Sequence, residues 1–450
     1  MDYDLEVHVD FGGQPKLVGR LWLREKNGRE TATFQYDSTW LENSRTFALA
    51  PSLSLTPGPF QSDEGTFGAF RDSAPDRWGQ KLMRHRERNR AHDAKSKPRT
   101  LYSGDFLVGV DDETRVGALR FKEPGRNKPF LSQSANPVPL VIELHKLLSA
   151  TNRMERGRER KGDLDLLLAP AGSLGGVRPK ANVRGKDNRL YVAKFPWAQD
   201  EWSVIRWEAM SLELAESAGI AVPGWKSIPV QGNVALLLAR FDRQGDNSLR
   251  VPFMSAMTAL DAKDHEEHSY LEIVDVLRQI AEAPAAEISQ LWRRMIFNIF
   301  ISNTDDHLRN HALLRGEKGW RLSPAYDMNP SPADISGGIH NLALNELDRT
   351  GSLEIALSVA EYFGLKLADA KQIASEVATA VSGWRAVASR TKIDQFEIER
   401  VSSAFKEEEI ETALSYRAMV ASPVRKPSSG GEQKKQKKGR KKRTASNKAL

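Results

Sequence analysis

Behind the apolar run "LWRRMIFNIF" at 291 to 300 the chain changes abruptly into "ISNTDDHLRNHALL" at 301 to 314, a stretch with two adjacent acids, two histidines and two asparagines. Asp305 and Asn310 stand five positions apart, in the pattern D-x-x-x-x-N. That spacing is the one a kinase catalytic loop uses, where the aspartate accepts the proton of the attacking hydroxyl and the asparagine oxygen helps hold magnesium. By itself the pattern is common, and a helix cap or coincidence explains most occurrences. A phosphoryl-transfer reading therefore needs further hard oxygen ligands, a lysine for the nucleotide phosphates and backbone donors above them.

The remaining elements occur in the right order. "LAPAGSLGGVRPKANV" supplies a glycine-rich loop, Gly172-Ser173-Leu174-Gly175-Gly176, followed by a strand. Glycine has no Cβ, so backbone N–H groups in such a loop can approach a phosphate closely. Lys194 lies in the next strand, "RLYVAKFPW", and Glu208 lies one amphipathic helix later, in "SVIRWEAMSLELAESAGI", as a possible ion-pair partner. The buried strand "VALLLARFDR" then makes Ala239 to Phe241 a candidate hinge for adenine. Phe241 is either a residue flanking the base or a core aromatic. Asp242 and Arg243 are either a surface ion pair or a ribose contact. Asp327, in "SPAYDMNP", follows Asn310 by seventeen positions and has the place of a second magnesium ligand.

Competing site chemistries fail on residue identity. Lys180 is followed by Ala181 and a strand, which excludes a Walker A loop. His307 and His311 have i, i+4 spacing, but Leu308 occupies the place where a metalloprotease needs glutamate. His307 is expected to orient the loop or meet a phosphate, and His311 to be structural.

Composition bounds the setting. At 450 residues the chain has room for two to four domains. There is no cysteine, and the acidic opening "MDYDLEVHVDFGG" does not read as a secretory signal. The expectation is a cytoplasmic protein without a membrane span. The net charge of +7 is concentrated in residues 421 to 450, where eleven Lys or Arg face one acid, Glu432, leaving the preceding 420 residues at −3. This tail, with "KKQKKGRKKR", reads as disordered. It is either a nonspecific arm for DNA or RNA, or a solubilising terminus.

The fold class expected is α+β. A small N-terminal α/β module covers 1 to 125, with a hairpin at Asn27-Gly28 and a helix beginning near Pro75, capped by Asp72 or Ser73. Asp76, Arg77 and Trp78 read as a buried tryptophan beside a paired charge, or as a partner surface. Residues 101 to 122 read as strand, and 124 to 139 as a linker. A two-lobed, protein-kinase-like core follows: an N-lobe-like region over 140 to 250, then a helical C-lobe over 251 to 420 with an all-helical C-terminal part.

These segments together resemble the HipA-like serine/threonine kinases of bacterial toxin–antitoxin systems. The resemblance lies in "VGRLWL", "FQYDSTWL" and "LSLTPGPF" near the N-terminus. It continues through "SLGGVRPK", "VAKFP", "GIAVPGWKSIPV", "ARFDR", "NTDDHLRN", "SPAYDM" and "GGIHNLAL". It implies ATP and Mg²⁺ as cofactors, Asp305 as the base in one loop with His307, and Asn310 and Asp327 as metal ligands. It further implies Lys194 as the ATP lysine and Ser173 as an autophosphorylated residue whose modification expels the loop and shuts the enzyme off. It also implies a helix-turn-helix HipB-like antitoxin, DNA contact through that partner, and a protein substrate in translation such as an aminoacyl-tRNA synthetase. Asp306 stands where some relatives have glycine, and "RPK" at 178 to 180 differs from others' triplet. A small-molecule phosphotransferase and a non-catalytic scaffold binding antitoxin and DNA are the alternative readings.

Overall fold

A computed structural model describes residues 2–63, 65–132, 138–168, 172, 176–245 and 249–420. Strands β1 (Tyr3–Phe11), β2 (Gln14–Lys26), β3 (Arg29–Tyr36), β4 (Pro59–Ser62) and β5 (Leu119–Lys122) form an antiparallel sheet in the order β4-β3-β2-β1-β5. Asn27 and Gly28 both take positive φ, +54° and +79°, between paired Lys26 and Arg29. This is the two-residue turn that the dipeptide favours. Within 101–122 only Leu119–Lys122 is strand; Ser103–Gly109 is helical. Asp105 accepts from the Tyr102 N–H at 2.9 Å, and this local cap overrides the β-branched and aromatic character of the segment.

The helix after Pro75 runs Arg77–Asp93, and its cap is Asp76, which accepts from Gly79 N at 2.8 Å. Neither Asp72 nor Ser73 serves, because each is used elsewhere. Asp72 accepts from Ser255 N and Oγ at 2.7 and 2.8 Å, and Ser73 Oγ donates to Ala69 O. The first turn buries Trp78, followed by Leu82, against a core that includes Leu147, Phe195 and Leu237.

That core underlies a second antiparallel sheet, β6 (Lys180–Arg184), β7 (Leu190–Lys194), β8 (Trp225–Val230) and β9 (Asn233–Ala239), in the order β6-β7-β9-β8. The helix Val204–Ser217 crosses from it and ends at Gly219, where φ is +75°. The helix Pro284–Phe300 begins with proline at its first turn and buries Leu291, Trp292, Met295, Ile296, Phe297, Ile299 and Phe300 almost completely. The region after 251 is not purely helical. Phe253–Ser255, Ala312–Arg315 and Trp320–Leu322 form a three-stranded antiparallel sheet around the polar stretch. Strands of three or four residues are too short to show a period of two. Among the described residues no helix is long and apolar enough to cross a membrane.

Asp242 and Arg243 are neither a surface pair nor exposed towards a ligand. Asp242 is 1% exposed and accepts from Arg240 at 2.6 Å, Arg243 at 2.8 Å and the Gly117 N–H at 2.7 Å. Arg240 donates onward to Thr114 O, and Arg243 to Arg115 O. One carboxylate therefore ties the segment before β5 to the segment after β9. Burial pushes its pKa up, but the two guanidiniums outweigh that and hold it well below the ordinary range. Removing the charge leaves two buried cations short of a partner. Asp242→Asn is expected to cost about 3–5 kcal/mol of unfolding free energy, measured by urea denaturation.

Candidate active site

The helix Pro284–Phe300 delivers the chain into a loop anchored from below. Asn303 N donates to Asn298 O at 2.8 Å, and Asn303 Nδ2 to Asn298 Oδ1 at 3.1 Å. Asp306 points down into the core, where its Oδ2 accepts from Tyr270 OH and from His311 Nε2, the latter at 2.8 Å. Burial raises the Asp306 pKa, yet the His311 imidazole and the Tyr270 hydroxyl bring it below its usual value. His311 is 2% exposed and faces this network rather than the cleft. Asp305, in the turn immediately before Asp306, is exposed and lines the cleft instead.

Asp305 is solvent-accessible at the floor of a cleft of about 1350 Å³. The surrounding walls still desolvate its carboxylate, which raises its pKa, while the His307 imidazole opposes the rise. Asn310 Nδ2 donates to the Asp305 carbonyl at 3.3 Å, which fixes the amide and leaves its Oδ1 without a protein donor among the described residues. His307 and Asn310 line the same cleft, and His307 Nδ1 is buried there without a hydrogen-bond partner among the described residues.

The opposite wall is built on β7. Lys194 Nζ donates to Glu208 Oε1 at 2.5 Å and also to Asp327 Oδ1. Burial alone would lower the lysine pKa; the two carboxylates outweigh it and raise it. Lys194 in turn brings Asp327 below the ordinary carboxylate range against the effect of burial. Asp327 has φ +57°, a left-handed conformation uncommon for a non-glycine residue. Its second oxygen is free of protein hydrogen bonds among the described residues. Asn310 Oδ1 and this oxygen are hard donors of the kind magnesium takes, few in number beside waters and phosphates. The residues fit that ion.

The glycine-rich loop is described only at its two ends. Gly172 is buried at the root, where an added Cβ would meet Thr114 O at 2.7 Å, and its carbonyl accepts from Asn182 Nδ2 and Arg240. Gly176 lines the cleft. Ser173 and Gly175 lie outside the described residues. Of the hinge candidates, the Ala239 N–H is already donated to Gly224 O at 2.7 Å. Phe241 stacks on Tyr326 with centroids 5.5 Å apart. Neither is part of the cleft lining.

Two cleft residues escaped the motif reading. Lys180 pairs with Lys194 across β6 and β7, so the two lysines project to the same face. Its Nζ is held by Asp76 Oδ2 at 3.0 Å and by Gly176 O at 3.3 Å. The signal for Lys180 was its place at the start of the strand after the loop, available once the Walker pattern had been set aside. The partnership with Asp76 has no local signal. Asn341, which reaches Asp305, stands in "GGIHNLAL", a segment with no role attached to it.

Residues 9–109 match the model of the HipA N-terminal domain, and residues 172–384 match that of the HipA-like C-terminal domain. Two proteins of Sinorhizobium fredii called putative kinases, Y4mE and Y4dM, are similar to parts of the chain. They are 24% identical over 146 residues and 30% identical over 105 residues. Those alignments cover 30% and 23% of this chain, and only 33% and 25% of the two relatives. Among solved structures, the HipA of a Shewanella oneidensis MR-1 toxin–antitoxin system, determined with HipB and operator DNA, superposes with a TM-score of 0.62. It is 16% identical and covers 92% of this chain and 97% of that one. This last likeness is one of fold.

The support beneath the loop is separately testable. Tyr270→Phe removes a hydrogen bond to a buried carboxylate and is expected to lower the unfolding free energy by about 1.5–3 kcal/mol. Because the folded pKa of Asp306 is depressed, its contribution is present above the unfolded value of roughly 4 and disappears as pH falls through the folded one. Urea unfolding at neutral and acidic pH measures both effects.

Proposed function

The chain belongs to the HipA-like family, and from that premise we propose that it is an ATP- and Mg²⁺-dependent serine/threonine protein kinase. The observation that carries the reading is the ion-paired set Glu208, Lys194 and Asp327, which lines one cleft together with Asp305 and Asn310. A lysine held between two carboxylates keeps its charge in a desolvated place, which suits a group meant for nucleotide phosphates. Magnesium, held by Asn310 and Asp327, would neutralise charge on those phosphates. Asp305 would accept the proton of the acceptor hydroxyl as its oxygen bonds to the γ-phosphorus and the bond to ADP breaks. An exposed carboxylate with a raised pKa at the cleft floor is suited to that transfer. His307 would lie against the phosphates, and Gly172, Gly175 and Gly176 would shape the loop above them.

Further parts of the reading come from the family. Ser173 is proposed as an autophosphorylation site, where nearly two negative charges would compete with ATP for the loop. A helix-turn-helix antitoxin, DNA reached through it or through the basic tail, and a cytoplasmic protein of translation are the proposed partners. A small-molecule phosphotransferase, which would use the same loop, lysine and base, is the second reading. The N-terminal module contributes Asp72, Asp76 and Arg77 to its wall, which supports a larger acceptor.

Incubation with Mg-ATP followed by mass spectrometry is expected to show phosphate on Ser173. Asp305→Asn should lower transfer by about 10²- to 10⁴-fold. Equal incorporation by Asp305→Asn would remove the aspartate from its role. The acid limb of the rate profile should lie above the range of an ordinary aspartate, because the unprotonated form is the active one and burial raises its pKa.

A further inference from the structure

Asn341 makes one side-chain hydrogen bond among the described residues, from Nδ2 to Asp305 Oδ1 at 3.2 Å. Its backbone is set with unusual care for an exposed residue. Asn341 N donates to Thr304 O at 3.0 Å, the carbonyl immediately before Asp305, and His340 N donates to Arg349 O at 2.9 Å. The next two residues, Leu342 and Ala343, are buried and pair in parallel with His268 and Ser269. A backbone bond and a side-chain bond thus clip the segment to the loop at adjacent residues.

We infer that Asn341 is a positioning residue for Asp305: its amide holds one carboxylate oxygen and leaves the other free to receive the proton of the acceptor hydroxyl. This rests on the assignment of Asp305 as the base. A carboxylate on a short side chain rotates freely unless something holds it, and misplacement of a reacting group by about 1 Å can cost 10²-fold in rate. A neutral amide is suited to the task. It fixes orientation through one donor without the full positive charge of a lysine or arginine, which would depress the basicity of Asp305 far more. A chance surface contact would have no reason to coincide with the clipped backbone at Thr304.

The test uses the full chain with Mg-ATP and any acceptor that it phosphorylates, its own chain included. Asn341→Ala is expected to lower kcat about 10- to 100-fold and to leave the KM for Mg-ATP within about threefold. Asn341→Asp, which has no amide donor and sets a like charge beside Asp305, should lower kcat at least as far. The side chain is exposed, so thermal unfolding midpoints should match the parent; if the alanine variant fails to fold, Asn341→Ser is read in its place. A parental kcat in the folded variant, with Asp305→Asn inactive, would overturn the inference alone. Parental activity in Asp305→Asn would overturn the assignment of the base and this inference with it.

Discussion

A lysine ammonium buried at the boundary between a sheet and a helical region is the constraint on which the site depends. Lys194 is 8% exposed, and an unpaired charge there would be strongly unfavourable. Its two partners come from different parts of the chain: Glu208 from the helix after β7, and Asp327 from a segment more than a hundred residues later. The pairing therefore fixes how the strand sheet and the loop-bearing region face each other. The volume between them is what the proposed reaction uses.

The N-terminal module is built into the same cleft. Asp76 caps the helix Arg77–Asp93 and also meets Lys180; Asp72 instead uses its carboxylate to hold Ser255, far along the chain. Asp242 joins segments on either side of the second sheet through Arg240, Arg243 and Gly117. In each case a carboxylate with several donors bridges regions distant in sequence. Such contacts leave no trace in hydrophobic periodicity, because each depends on one residue at each end. The cap is Asp76 and not Asp72 or Ser73, which are equally good caps by chemistry: a distant partner, Ser255, takes the Asp72 carboxylate, and the carbonyl of Ala69 takes the Ser73 hydroxyl.

Periodicity and turn chemistry were informative where an element is long or locally specified. The Asn27-Gly28 hairpin, the helix Val204–Ser217 ending at Gly219 and the apolar helix preceding the polar loop were all readable. Reading failed for the helix Ser103–Gly109, which a local cap stabilises against the β character of its residues. It failed again for the strand Phe253–Ser255, whose pairing with Ala312–Arg315 is long-range. In the site, motif order found Lys194, Glu208, Asp305, Asn310 and Asp327. It did not find Lys180 or Asn341, which reach the cleft through strand register and a clip on Thr304. The hinge reading of Ala239 met a hydrogen bond already made.

The sequence by itself determined the inventory of reactive groups and their order, because glycine, lysine, carboxylate and amide chemistry at those spacings has few uses in common. Tertiary structure decided which of two adjacent acids is buried and which is open. Asp306 is committed downward by Tyr270 and His311, so Asp305 is left facing the cleft, where Asn341 can hold it. That choice turns on which side of one loop meets the core. Burial of a whole helix beneath the loop decides it, not the identity of the two aspartates.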